Sequence, residues 1–208
     1  MGLLKNTLEV IKPYMKGAEV LSLGYPDIMM SDEDLYDVLE EECTERNEVT
    51  GLTETYLVFE AMGARLHTLD SVRQRGFEEV IDLDYPQVLG KYDFVLDAGT
   101  VEHCFNIGQA ILNAANAVKL GGHIFHSSPI SMVNHGFYNL NPTLYYDFYG
   151  QNGWKIKMMR ITNSAGVVLR GEINPVKRVT CPPEVVMQVM AQRTNERLLK
   201  IPRQSKYL

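Results

Sequence analysis

The feature that most constrains this chain is a series of short apolar runs, each of which stops at a polar or small residue. They are AEVLSLG (18–24), ARLHTLD (64–70), EEVIDLD (78–84), YDFVLDAG (92–99) and GGHIFHSSP (121–129). Between the last two, NIGQAILNAANAVKL sets Ile107, Ala110, Ile111, Ala114, Ala117 and Val118 on one helical face. Apolar strands alternating with helices predict an α/β fold, a mostly parallel sheet covered by helices on both faces. In such sheets ligands gather beyond the C-terminal ends of the strands, which is where these runs place their polar residues.

The flanking segments complete the expected order. Leu4, Leu8 and Ile11 have helical spacing, and Pro13 followed by Gly17 closes that lead-in. Ser31 with Asp34 three residues later resembles a capping box that opens an acidic helix running to about Glu48. After Gly153, WKIKMMRIT and GVVLRGEI have the alternation of strands and no helix between them, which predicts an antiparallel C-terminal edge. The segment PPEVVMQVMAQRTNERLLK then predicts a final helix begun by proline. The 208 residues suit one domain, with a lead-in at 1–17, a ligand-binding core at 18–160, and an edge strand with a basic helical tail at 161–208.

Composition narrows the class of partner. No apolar run approaches the ~20 residues that span a bilayer, so no membrane is expected. Three widely spaced cysteines, Cys43, Cys104 and Cys181, form neither a paired framework nor a metal knuckle, which favours a reducing cytoplasm. The net charge of −6 is unevenly placed. Residues 32–48 hold nine acids against Arg46 alone, whereas residues 155–208 hold eleven Lys and Arg against three Glu. The acidic helix and basic tail offer complementary surfaces for a homodimer, and the tail could meet phosphate groups. The overall acidity weakens duplex binding, so nucleic acid is not the expected partner.

The stretch YDFVLDAGTVEHCFNIGQAILNAANAVKLGGHIFHSSP resembles the class I S-adenosylmethionine-dependent methyltransferases, in their fourth strand, Glu-His turn, helix and Gly-Gly turn into a fifth strand. The resemblance covers about residues 18–160 and implies a Rossmann-like methyltransferase sheet, with S-adenosyl-L-methionine as cofactor and a small-molecule acceptor. By position, it makes Gly24 the glycine of the first cofactor loop, with Tyr25 and Asp27 beside it. It makes Asp70 the acid for the ribose hydroxyls, places Asp82 and Leu83 at the adenine, and lines the methionine side with Asp97, Ala98, Gly99 and Thr100. The chain departs from the family in this first loop: Ser22, Pro26 and Ile28 stand where an acid and two further glycines are usual. Pro and Ile would crowd a backbone that glycine lets approach the cofactor, and Asp27 is the expected substitute acid, for the cofactor's ammonium group.

Methyl transfer from a sulfonium to a hydroxyl needs alignment and a group that removes a proton. His135, in NHGFY beyond the fifth strand, and His103, in the Glu-His turn, are the candidates, followed by His126 at the end of that strand. Asn134, Phe137, Tyr138 and Asn139 join His126 as expected acceptor contacts. Tyr145, Phe148, Tyr149 and Trp154 have the spacing of a helix packing into the core. His103, Asp97 and His135 are residue types a metal accepts, but no tight ligand spacing ties them together and no metal is expected. The leading expectation is O-methylation of a polar small molecule such as a sugar or nucleotide-linked sugar. The missing glycines set beside it a catalytically inactive methyltransferase-like binding or regulatory protein. The basic tail and aromatic residues set beside it a nucleotide- or nucleic-acid-modifying methyltransferase.

Overall fold

A computed structural model describes residues 2–175 and 177–208. The first half alternates helices with strands: α1 (Lys5–Ile11), β1 (Glu19–Leu23), α2 (Asp32–Leu39), α3 (Thr55–Ala61), β2 (Arg65–Asp70), β3 (Glu79–Val80) and β4 (Tyr92–Asp97). Then come α4 (Ile107–Ala117), β5 (Val118–Pro129), α5 (Pro142–Gln151), β6 (Lys155–Asn163), β7 (Val168–Arg170) and β8 (Val185–Gln192). All eight strands join one sheet in the order β3-β2-β1-β4-β5-β8-β6-β7. The pairs from β3 to β5 are parallel, and those of β8 with β5 and β6, and of β6 with β7, are antiparallel. The expected mixed sheet is therefore present.

Its core follows from the two-residue period of a strand. On β1, β4 and β5, Leu21, Leu23, Val95 and Ile124 face a layer built with Ala110, Ile111 and Ala114 of α4 and Tyr145 and Tyr149 of α5. The alternate residues Val20, Phe94, Leu96 and Phe125 face Leu8, Ile11, Leu35, Val38 and Phe59 of α1, α2 and α3. A sheet buried on both faces in this way needs apolar residues at every strand position, which is why the runs read as nearly continuous.

Several boundaries differ from the sequence expectation. Ser31 does cap α2, its side chain accepting the Asp34 N–H at 3.1 Å, but the helix stops at Leu39 and Glu40 turns left-handed at φ 64°. The remaining acids lie outside it. The helix α3 has no counterpart in the sequence reading, and β3 is only two residues long. The largest correction concerns residues 182–200. The expected tail helix is instead β8, inserted between β5 and β6 with seven of its eight residues buried. Its run VVMQVMAQ pairs with strands on both edges and every residue from Val185 to Ala191 is buried, which an amphipathic helix would not achieve. The basic segment beyond is extended and lies on the end of α5. There the Asn152 side chain bonds Lys200 N and O at 2.8 and 3.0 Å, and Asp147 accepts the Ser205 N–H at 3.0 Å.

Three of the four acids of α2 are matched within the chain: Lys5 contacts Asp34 and Asp37 at 2.9 and 2.8 Å, and Arg46 contacts Asp32 at 2.6 Å. These pairs are exposed and screened by solvent, so they contribute little to stability. No helix among the described residues is long and apolar enough to cross a membrane.

Met190 is 1% exposed at the centre of β8. Met190→Ala is expected to lower stability by about 2 to 5 kcal/mol, read from urea unfolding, whereas in an exposed tail helix the same change would be nearly neutral.

Candidate functional site

The strand order reverses at β1, with β2 and β3 on one side and β4 and β5 on the other, and a cavity of about 370 Å³ opens over the C-terminal ends of these strands. This is the position at which doubly wound sheets bind ligands. Gly24 follows β1 with φ 78°, and its N–H donates to Leu69 O at 2.7 Å, tying the loop to the end of β2. A Cβ at this position would stand 2.8 Å from Thr100 Oγ1 and 3.7 Å from Asp70 Oδ2, so both the left-handed backbone and the close approach require glycine.

The rest of that loop explains how Pro26 and Ile28 are tolerated. Ile28 is 1% exposed and turned away from the cavity, bridging Leu3 in the core. Pro26 lines the cavity wall while its carbonyl accepts from Thr55 Oγ1 at 3.0 Å, and Ser22 Oγ donates to Gly24 O at 2.8 Å. Asp27 faces Arg75, with Oδ2 2.7 Å from the guanidinium, while its Oδ1 is buried without a hydrogen-bond partner among the described residues. Arg75 also lies over the Tyr25 ring at 5.6 Å, and the Tyr25 hydroxyl donates to Glu54. Burial and Glu54 raise the Tyr25 pKa, so this phenol keeps its proton.

Around the remaining rim, Asp70 Oδ1 accepts the Ser71 N–H at 2.7 Å and Oδ2 faces Gly24. Asp82 and Leu83 follow β3, with Leu83 buried and Asp82 exposed at the mouth. Asp84 accepts the Asn106 N–H at 2.9 Å and so fixes this loop to the start of α4. Ala98, Gly99 and Thr100 line the opposite wall.

Two expected site residues prove internal. Asp97 is fully buried: Oδ1 accepts the N–H groups of Thr100 and Val101 at 2.9 and 3.3 Å, and Oδ2 meets His126 Nδ1 at 2.6 Å. His126 is 0% exposed, and its Nε2 is 2.6 Å from the Tyr149 hydroxyl. Asp97 therefore supports the wall from behind without lining it, and His126 cannot touch an acceptor. Burial and the nearby Asp97 carboxylate raise the pKa of Tyr149 well above the usual phenol value, so this hydroxyl keeps its proton. Tyr145, Phe148, Tyr149 and Trp154 are all buried core, as their spacing predicts.

The two candidate bases are brought together. His103 lines the cavity, and His135, from the loop beyond β5, lies with its ring centroid 5.2 Å from that of His103. Burial lowers both imidazole pKa values, with the neighbouring His135 adding to the shift at His103, so both rings favour the neutral form. Beneath them Glu102 is 0% exposed, and both its carboxylate oxygens lack a hydrogen-bond partner among the described residues. Burial, reinforced by Asp97, pushes its pKa up to about 8. With that pKa the group is largely protonated at neutral pH, and a buried carboxyl with neither oxygen hydrogen-bonded still costs about 1 to 3 kcal/mol, so its presence needs a cause.

Among the expected acceptor contacts, Asn134 turns the loop at φ 62°, and Asn139 Oδ1 accepts the Met132 N–H at 2.7 Å, which makes Asn139 a loop brace. The Tyr138 hydroxyl donates to Phe105 O at 2.8 Å. Phe137 is exposed and meets the equally exposed Phe105 edge to face at 5.7 Å, forming an aromatic pair beside the histidines. The sequence reading omitted Phe105 and Arg75. An exposed Phe immediately after the Glu-His turn was the available signal for the first, but no local pattern marks the second.

No family model matches the chain, and no curated protein matches it. Solved structures do. TehB from Haemophilus influenzae superposes with a TM-score of 0.57 at 10% identity, over 92% of this chain and 62% of that one, so this chain spans somewhat less than two thirds of TehB. The 1,6-didemethyltoxoflavin-N1-methyltransferase of Burkholderia thailandensis, with 1,6-didemethyltoxoflavin and S-adenosylhomocysteine bound, gives 0.56 at 12% identity over 92% and 78%. The N-methyltransferase NodS of Bradyrhizobium japonicum WM9 gives 0.52 at 11% over 92% and 94%. At such identities the likeness is one of fold, and the chain has the Rossmann-like methyltransferase fold.

Tyr149→Phe removes the partner of His126 Nε2 inside the wall. The expected loss is about 1 to 3 kcal/mol of stability, measured by urea unfolding at neutral pH.

Proposed function

We propose that this protein is an S-adenosylmethionine-dependent methyltransferase acting on a hydroxyl group of a polar small molecule, such as a sugar or nucleotide-linked sugar. The observation that carries the proposal is the cavity at the strand-order reversal, where Gly24 leaves room for a ligand and Asp70 and the orphaned Asp27 Oδ1 offer acceptors into it. These residues fit the cofactor. Asp70 suits a ribose diol, whose two donors one carboxylate can accept. Asp82 and Leu83 offer an acceptor and an apolar surface for adenine. Asp27 Oδ1 suits an ammonium group, and Ala98, Gly99 and Thr100 frame the amino-acid end. When bound, the cofactor supplies an electrophilic methyl group on a positively charged sulfur, and the acids at the rim suit that charge.

The fold explains how the departure from the usual glycines leaves such a pocket intact. Ile28 is absorbed by the core, and Pro26 shapes the wall without closing the cavity. His103 and His135 are the groups that activate the acceptor hydroxyl, and both are neutral at the pH where that is useful. The exposed pair of Phe105 and Phe137 offers aromatic faces to a sugar ring or base. The three free cysteines suit a reducing cytoplasm, and a homodimer through the basic segment remains part of this proposal.

Calorimetry with S-adenosylhomocysteine tests the cofactor assignment. The wild type is expected to bind at micromolar concentration, and Asp70→Ala to weaken binding by at least about tenfold through loss of charge-assisted hydrogen bonds. Equal affinity in the two proteins would refute the ribose assignment. In a panel of hydroxylated acceptors and sugar nucleotides, His103→Asn is expected to reduce turnover by about 10² to 10⁴-fold while leaving S-adenosylhomocysteine affinity nearly unchanged.

A further inference from the structure

The cluster of Glu102, His103 and His135 contains more unmet bonding capacity than a pair of bases requires. Glu102 is wholly buried with both oxygens unpartnered, and His135 Nε2 is likewise buried and unpartnered among the described residues. Glu102 Oε1 and His135 Nε2 stand 3.6 Å apart, too far for a good hydrogen bond. Two ligands of one ion, each bonded at about 2.0 to 2.2 Å, stand roughly 3.4 Å apart in tetrahedral geometry. His103 completes the set, with one ligand atom from each of the three residues lying within 4.8 Å of the others.

The backbone holds these side chains in register. Glu102 and His103 belong to the one-turn 3-10 helix Val101–His103, whose start is fixed by Asp97. The Glu102 carbonyl accepts the N–H groups of Phe137 and Tyr138 at 2.9 and 3.3 Å, which docks the loop carrying His135 onto that turn. Gly136 permits the approach, since a Cβ there would lie 2.9 Å from Glu102 O and 3.2 Å from His103 Nδ1.

We infer that Glu102, His103 and His135 bind a divalent cation of the zinc class at the edge of the cavity. Two imidazoles and one carboxylate suit Zn²⁺ and its transition-metal neighbours, whereas Mg²⁺ prefers an all-oxygen octahedron. Three protein ligands leave a coordination position open, and His103 places it beside the cavity. Here the inference rests on the methyltransferase reading and replaces the proton-accepting role of the two histidines: they act as ligands, and the open position takes the acceptor's hydroxyl oxygen. The cation acidifies that hydroxyl, its O–H bond breaks and the proton passes to solvent water, and the oxygen is left as the nucleophile.

The test is calorimetry of the full chain, stripped of metal with a chelator, against Zn²⁺ and Mg²⁺, in parallel with S-adenosylhomocysteine. One Zn²⁺ site and a much weaker response to Mg²⁺ are expected. Glu102→Gln, which keeps the buried shape, and His135→Gln, on the loop, should each weaken Zn²⁺ binding by at least about 100-fold, since even outer-shell partners of a metal are worth about 10 to 100-fold. Circular dichroism identifies any variant that fails to fold, and the other variant then decides. Absence of Zn²⁺ binding, or equal affinity in a folded variant, would overturn the inference. S-adenosylhomocysteine binding without Zn²⁺ binding would do so while leaving the methyltransferase reading in place, and Zn²⁺ binding without S-adenosylhomocysteine binding would support the metal site and count against that reading.

Discussion

The buried carboxylate of Asp97 holds the functional end of this molecule together. From the last position of β4 it reaches forward to the N–H groups of Thr100 and Val101 and sideways to His126 on β5, which passes the bond to Tyr149 on α5. One side chain thereby fixes the Glu-His turn, the neighbouring strand and the covering helix. Breaking such a buried, hydrogen-bonded charge typically costs about 3 to 5 kcal/mol, because its partners are left without compensation. The turn then determines the rest: Thr100 donates to Leu23 O at the root of the Gly24 loop, His103 reaches the cavity, and the Glu102 carbonyl anchors the loop of His135.

On the proposed reading, the first loop departs from the usual glycines at positions where the fold accommodates larger side chains. In this loop it is Gly24 that meets a steric demand, from Thr100 Oγ1. At Ile28 the chain has already turned into the core beside Leu3, where a branched apolar side chain stabilises the loop through burial. Asp27, paired with Arg75 through one oxygen only, keeps its other oxygen as an acceptor.

The parallel part of the fold was legible because strands buried on both faces leave continuous apolar runs that end where the chain meets the ligand side. The cap at Ser31 and the core helix carrying Tyr145 and Tyr149 were legible for equally local reasons, a short-range hydrogen bond and a 3.6-residue period. The final segment was not: VVMQVMAQ is apolar apart from Gln188 and Gln192, so periodicity does not separate a buried strand from a helix, and only insertion between β5 and β6 decides it. The site divided along the same line. Gly24 and Asp70 were assigned by the family resemblance to positions that end their strands, whereas the withdrawal of Asp97 and His126 into the core depends on α5 folding over them from twenty or more residues away. The juxtaposition of Glu102 with His135 likewise depends on a loop docking thirty-three residues downstream, which no spacing rule reveals.

The most direct test of the account is a crystal structure of the protein with S-adenosylhomocysteine bound. The account predicts the ribose hydroxyls on Asp70, the backbone of Gly24 against the ligand, the ammonium group at Asp27 Oδ1, and the sulfur on the side of the cavity nearest His103. An adenosine group bound elsewhere on the sheet, or a ligand whose ribose makes no contact with Asp70, would contradict it.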